Sequence, residues 1–215
     1  MKLFTYYRSS AAYRVRIALN IKGLNVEAVP VHLVKDGGQQ KAPEYLDKNP
    51  QGLVPLLELD DESSITQSLA MIEYLDELHP EPSLIPGDAL ERAQVRALSL
   101  AIACDIHPLN NLRVLQYLTR ELGSSDEQKN QWYQHWIQQG FTAVEKTLSQ
   151  TSLNGEFCIT EQPTMADCCL IPQAYNAQRF KVDMSPYPLI SSINEHCLSL
   201  PAFAQAAPAK QADAE

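Results

Sequence analysis

No apolar run in this sequence approaches the ~20 residues that a helix needs to span a bilayer, so no transmembrane helix is expected. No run of basic residues occurs either. Lys and Arg are scattered and the formal net charge is -9, which disfavours unspecific nucleic-acid binding, a mode that rests on a basic patch neutralising phosphates. A local pocket for a small anion stays compatible, because Arg8, Arg14 and Arg16 fall close together. The five histidines include no H-x-x-x-H spacing, and no metal is expected. The five cysteines (Cys104, Cys158, Cys168, Cys169 and Cys197) include no C-x-x-C pair, and no leader precedes the first strand-like run. Free thiols in a reducing, cytoplasmic compartment are therefore expected. The vicinal Cys168 and Cys169 lie in an apolar helical context and read as buried structural thiols, not a redox pair. There is no internal repeat.

What is present is ordinary soluble-protein composition, 45% hydrophobic and 20% charged over 215 residues, which excludes a disordered or fibrous chain and suffices for one large domain or two small ones. Residues 2–7 read as a strand, 12–22 as a helix with Val15, Ala18, Leu19 and Ile21 grouped on a face, and 27–33 as a strand alternating Val29, Val31, Leu33: a βαβ unit. After a polar loop, "LVPLLELDD" and "SSIT" read as two strands around an Asp-rich turn. "QSLAMIEYLDELHP" follows as a helix with Leu69, Ile72 and Leu75 inward, completing a ββα unit. The stretch 79–88, "HPEPSLIPGD", carries three prolines and a glycine, so it breaks the helix and forms a stiff linker. Domains over 1–82 and 88–215 follow.

The second half reads as all helix, with Val95, Leu98, Ile102 and Ile106 in one periodic stretch, a kink at Pro108, and Ile137, Phe141, Val144 and Leu148 in another. Thr164 with Asp167 three residues later matches a helix capping box, a folding signal. The Ala-rich tail "AAPAKQADAE" has little to bury and is expected to fray.

Candidate chemistry gathers in the first half. In "YYRSSAAYRVRIAL" a serine just before the periodic run is a preferred N-cap. The same serines close the first strand and open its helix, where unpaired amides and a positive dipole end favour an anion, so a reactive role is open beside the cap. In "NPQGLVPLL", Pro55 at a strand entrance reads as edge punctuation or a cis peptide. In "ITQSLAMIEYL", Gln67 and Ser68 open a helix, as a cap or as a carboxylate site.

These segments, with "KNPQGLVPLL", "CDIHPLNNLRVL", "PTMADCCLIPQAYNAQRFKVD" and "PYPLISSINE", resemble the zeta-class glutathione transferases, the group of glutathione-dependent maleyl keto-acid isomerases, over nearly the whole chain. The resemblance implies a thioredoxin-like N-terminal domain (α/β) that binds glutathione, an all-α C-terminal domain that shapes the second-substrate pocket, and a homodimer. It implies Ser9 and Ser10 as catalytic residues, with Ser9 on the glutathione sulfur, and Ala11 and Arg14 beside the cofactor. Val54 before a cis Pro55 would pair with the cysteinyl backbone, and Gln67 with Ser68 would hold the γ-glutamyl carboxylate. Gln40, His107, Asn111 and Arg113 match further contacts, and Arg8 and Arg179 match arginines that meet substrate carboxylates. The implied reaction converts maleylacetoacetate to fumarylacetoacetate in tyrosine and phenylalanine catabolism. Maleylpyruvate isomerisation, glutathione conjugation of electrophiles such as α-halo acids, and a non-catalytic binding scaffold remain alternatives.

The chain departs from the class at one position: where the class reads S-S-C, Ala11 stands third, so no mechanism here can require that thiol. Ser9 suffices on energetic grounds. A hydrogen bond to a charged group contributes about 1.5 to 3 kcal/mol against 1.36 kcal/mol per pKa unit, lowering a bound thiol by roughly one to two units from about 8.5. The helix end adds about 0.3 to 1 kcal/mol.

Overall fold

The computed structural model describes residues 1–151 and 155–215. They form two compact units, Met1–Leu84 with Ser199–Glu215, and Ile85–Leu198.

The first unit opens with β1 (Lys2–Thr5), α1 (Ser10–Ile21) and β2 (Glu27–Pro30). β1 and β2 pair in parallel with Leu3 opposite Ala28, an arrangement that requires a crossover, which α1 supplies. β2 is shorter than the expected 27–33. It is an edge strand that stops at Pro30; the Val31 amide still donates to the Thr5 carbonyl at 2.7 Å, and β1 itself ends at Thr5. The loop that follows contains a short helix not expected from its polar text, α2 (Pro43–Leu46), started by a proline at its first position. β3 (Leu56–Glu58) and β4 (Ser64–Thr66) then form a hairpin, β3 running antiparallel to β1, in sheet order β2-β1-β3-β4. α3 (Ser68–Leu78) completes the ββα unit. Strand alternation turns Leu3 and Leu57 toward Val15 and Leu19 of α1 and Met71 and Leu75 of α3, all buried in one apolar cluster. The buried Lys22 Nζ donates to Asp76 Oδ1 (2.5 Å) and to the carbonyls of His79 (2.6 Å) and Pro82 (2.5 Å), fastening the start of the proline-rich stretch to the end of α1.

The tail does not fray. Past α9 (Pro201–Ala206), which packs on α1, Gln211 Nε2 donates to the carbonyls of Gln205 (2.9 Å) and Ala207 (3.0 Å), and Asp213 Oδ2 accepts from the Tyr7 amide at 2.9 Å. The expected extent 88–215 for the second domain is corrected accordingly: residues 199–215 belong to the first unit. Composition misleads here because Ala206 and Pro208 are buried and polar bonds hold the residues beyond them.

The second unit contains α4 (Ala89–Leu100), α5 (Leu112–Arg120), α6 (Asp126–Thr151), α7 (Met165–Arg179) and α8 (Pro188–Ser199), the last ending at the unit boundary. Val95, Leu98, Ile102 and Ile106 are buried, as are Ile137, Phe141, Val144 and Leu148. The irregularity expected at Pro108 is a π-helical turn, Ala101–Ile106, followed by a 3-10 turn, His107–Asn110. Gly140 of α6 lets this bend approach: a Cβ there would stand 2.2 Å from Ile106 Cδ1.

The Thr164–Asp167 capping box starts α7. Asp167, fully buried, accepts from the Thr164 amide (2.7 Å), the Thr164 hydroxyl (2.8 Å) and the Cys158 amide (2.9 Å). Removing the carboxylate leaves three buried donors without an acceptor. Asp167→Ala is expected to cost about 3 to 5 kcal/mol, read as a lower midpoint in urea unfolding; an unchanged midpoint would contradict this role.

Candidate active site

Ser9 stands past the carboxyl end of β1 with extended backbone (φ -70°, ψ 117°), and its Oγ accepts from the Ala12 amide at 3.2 Å. The cap is therefore real, and it does not compete with chemistry. A hydroxyl carries one donor besides its lone pairs, so Ser9 can cap α1 and still donate its hydrogen to an anion. Ser10 is the first residue of α1 and is buried, and Ala11 lies half-exposed in the same turn. Arg8 is half-buried, its Nη2 donating to the Tyr6 hydroxyl at 3.2 Å and its guanidinium lying 4.8 Å from the Tyr7 ring centroid.

One direct contact joins two of the other expected glutathione residues of this unit. Arg14 Nη1 donates to Ser68 Oγ at 3.2 Å, both side chains being buried, which joins α1 to the start of α3. Gln67 Nε2 donates to Gln51 Oε1 at 3.1 Å. The 49–53 loop is shaped by the Leu53 carbonyl, which accepts from Tyr45 Oη (2.6 Å) and Asn49 Nδ2 (2.7 Å). Within it Gly52, at φ +59°, would place a Cβ 3.2 Å from the Gln40 carbonyl oxygen, so this close approach excludes a side chain. Val54 follows, buried, and its bond to Pro55 is cis.

Three observations fit a small anionic thiol peptide such as glutathione. The buried Gln40 Oε1 has no hydrogen-bond partner, although Nε2 of the same amide donates to the Leu33 carbonyl at 3.3 Å. Neither α1 nor α3 has an acidic residue in its first turn, a lack shared with α5, α8 and α9, so no carboxylate there offsets the positive end of either helix start that carries the candidate residues. Gln67 holds φ +68° and ψ 114°, unusual for a residue with a side chain and characteristic of backbone shaped for a ligand.

In the helical unit, Asn111 caps α5 by accepting from the Arg113 amide at 3.2 Å, and Arg113 is exposed. His107 is half-buried and opens the 3-10 turn. Arg179 is exposed at the end of α7, 5.1 Å from the Phe180 ring centroid. Of these four only Asn111 and Arg113 meet through a described hydrogen bond. Cys158, Cys168, Cys169 and Cys197 are buried and all five cysteines are free. Burial pushes the thiols of Cys158, Cys168 and Cys197 up, which leaves them inert at neutral pH. Among the described residues no helix is long and apolar enough to cross a membrane, and no group of three or more His, Cys, Asp or Glu side chains is arranged to hold a metal ion.

Sequence reading grouped Arg16 with Arg8 and Arg14 as a possible anion pocket and missed its role: it is 6% exposed and bonds the β1–α1 connection, which the Asp213 carboxylate of the tail also reaches. One signal for Arg16 was available: a basic residue flanked by Val15 and Ile17 cannot stay solvated in a helix packed on both sides.

A thioredoxin-like sheet carrying these helix starts, joined to a helical unit, defines a glutathione-binding protein of the transferase type. The family model for the glutathione S-transferase N-terminal domain matches residues 3–83. A probable maleylacetoacetate isomerase from Vibrio cholerae is 55% identical over 99% of this chain and 97% of its own. The holo structure of a maleyl pyruvate isomerase, described as a bacterial zeta-class glutathione S-transferase, superposes with a TM-score of 0.96 at 43% identity, covering 100% of both chains. A maleylacetoacetate isomerase from Methylobacterium extorquens AM1, solved with bound malonate and glutathione, gives 0.95 at 38% identity over 100% of both chains. The chain belongs to the glutathione transferase family, in its zeta class.

The strained Gln67 yields a test. Gln67→Gly relieves a backbone cost of about 1 to 3 kcal/mol against about 0.5 to 1 kcal/mol of added chain entropy. The melting temperature is expected to rise by roughly 2 to 4 °C while glutathione affinity falls at least about tenfold in calorimetric titration. Unchanged affinity would remove Gln67 from the site.

Proposed function

We propose that this protein is a glutathione-dependent cis–trans isomerase that converts maleylacetoacetate to fumarylacetoacetate in tyrosine and phenylalanine catabolism. The observation that carries the reading is Ser9, whose Oγ caps α1 while its hydrogen remains to be donated. Bound glutathione supplies the thiolate that adds to the cis double bond and leaves once the bond has rotated, so the cofactor is returned unchanged.

The protein's part is to hold charge. Ser9 donates to the sulfur, and the start of α1 adds its dipole. Gln67, Ser68 and the free amides of α3 hold the γ-glutamyl carboxylate, with Arg14 behind Ser68 at 3.2 Å. Val54 offers backbone bonds to the cysteinyl residue, and Gln40 an acceptor without an internal partner. Ser10 and Ala11 line the first turn without a thiol of their own. Arg8 and Arg179 bind the carboxylates of the keto acid and stabilise the charge that passes to its conjugated oxygen. His107, Asn111 and Arg113 make further contacts from the helical unit.

The protein acts as a cytoplasmic homodimer. Its free cysteines suit a reducing compartment. A largely apolar cavity of about 380 Å³ between α4 and α6 suits coverage by a second copy.

The reading is tested by incubating maleylacetoacetate and maleylpyruvate with purified protein, with and without glutathione, while following total thiol. Glutathione-dependent loss of the cis isomer at constant thiol, faster with maleylacetoacetate, is expected. Faster turnover of maleylpyruvate would move the assignment to that substrate, and thiol consumption would indicate conjugation. Ser9→Ala is expected to shift the acidic limb of the pH–rate profile up by about one to two units, so the loss is largest below neutrality and closes in alkali; a uniform loss would contradict thiolate stabilisation. Arg179→Leu is expected to raise KM for the keto acid at least about tenfold with glutathione affinity unchanged.

A further inference from the structure

We infer that Asp213 and Arg16 clamp the Tyr7 peptide from both sides and thereby fix where Ser9 presents its hydroxyl, which makes the C-terminal tail a positioning element for ionisation of the bound thiol. The inference rests on the role proposed for Ser9.

β1 ends at Thr5 and α1 starts at Ser10, so Ser9 depends on the connection between them. Both main-chain polar groups of Tyr7 in that connection bond to charged side chains. Its N–H donates to Asp213 Oδ2 at 2.9 Å, and its carbonyl accepts from Arg16 Nη2 at 3.0 Å. Arg16 Nη1 also donates to Thr5 Oγ1 (3.2 Å) and to the Tyr6 carbonyl (3.4 Å), while Nε donates to the Ala206 carbonyl (3.0 Å) where the tail leaves α9. The Tyr6 carbonyl in turn accepts from the Ser9 amide at 2.9 Å. One buried guanidinium thus touches three successive residues ahead of Ser9 and the root of the tail, and the tail returns a carboxylate to the Tyr7 amide. The Asp213 charge also favours the buried Arg16 cation. Glu215 extends the attachment: its Oε1 lies 3.2 Å from His32 Nε2, and the His32 ring meets Tyr6 edge-on at 4.9 Å.

Charge alone argues against a carboxylate beside a site that must stabilise a thiolate, since a nearby negative charge raises a thiol pKa. Its bond to the Tyr7 amide gives it a geometric purpose, and displacements of an ångström in such a site are costly. The two effects therefore have opposite signs when Asp213 is removed, and the sign of the shift separates them.

The test is the pKa of the glutathione thiol bound at saturation to the full-length protein, read from thiolate ultraviolet absorbance across a pH titration. Asp213→Ala is expected to raise it by about half a unit or more, about threefold less thiolate below the pKa. Asp213→Asn, which keeps an oxygen acceptor, should recover most of the difference. In a Ser9→Ala background the rise should be lost, leaving at most the small lowering that removal of a negative charge produces. Truncation after Ala212 repeats the measurement should Asp213→Ala fold poorly. A lowered or unchanged pKa in Asp213→Ala, where Ser9→Ala alone raises it, overturns the clamp and leaves the Ser9 role intact, as does an equal shift in both backgrounds. No shift in Ser9→Ala alone overturns the Ser9 role and the clamp with it.

Discussion

One hydrogen bond organises the site: the Ala12 amide donating to Ser9 Oγ at 3.2 Å. It satisfies an otherwise orphaned helix amide, fixes the side chain of Ser9, and leaves the hydroxyl its own hydrogen. A helix cap and the thiolate donor proposed for this site are then one arrangement. Because the cap sits where the parallel β1–α1 crossover begins, the same hydroxyl stands at the positive end of α1 and just past the sheet edge. Nothing in this depends on the class cysteine that Ala11 replaces.

The first unit applies the same logic twice. α1 and α3 both begin without an acidic residue in the first turn, and Arg14 ties their starts together through Ser68. Around them the supports are polar and buried: Arg16 under the β1–α1 connection, Lys22 at the far end of α1, Tyr45 and Asn49 shaping the loop that leads to Val54. Burial lowers the Arg16 pKa to about 10, still far above neutrality, so the clamp keeps its charge at working pH. Burial also pushes the Tyr45 hydroxyl up to about 12, which keeps it a neutral donor to the Leu53 carbonyl.

What could be read from the sequence was what local pattern encodes. The βαβ-ββα order, the inward stripes of α4 and α6 and the Thr164–Asp167 box each carry a short-range signal in spacing or residue type, whereas the cis bond before Pro55 is implied by the family resemblance and left open by the residues alone. The candidate residues of the first unit are legible as motifs, but their joining is not, because Arg14 meets Ser68 across 54 positions and Gln67 meets Gln51 across a loop. The tail fails most instructively. Its alanines predict fraying, yet long-range contacts hold it, among them Asp213 on the amide of Tyr7, 206 positions away, which neither hydropathy nor periodicity can express. α2 was hidden for a related reason: four residues are too few to show a period, and only Pro43 marks their start.

The measurement that bears most directly on this account is the ionisation of glutathione bound to the unmodified protein, followed by thiolate absorbance from acid to alkaline pH. The account predicts a bound-thiol pKa roughly one to two units below the free value of about 8.5, so that thiolate predominates near neutrality. A bound thiol that titrates like the free one would contradict it, because a capped Ser9 at a positive helix end would then be contributing nothing to the sulfur.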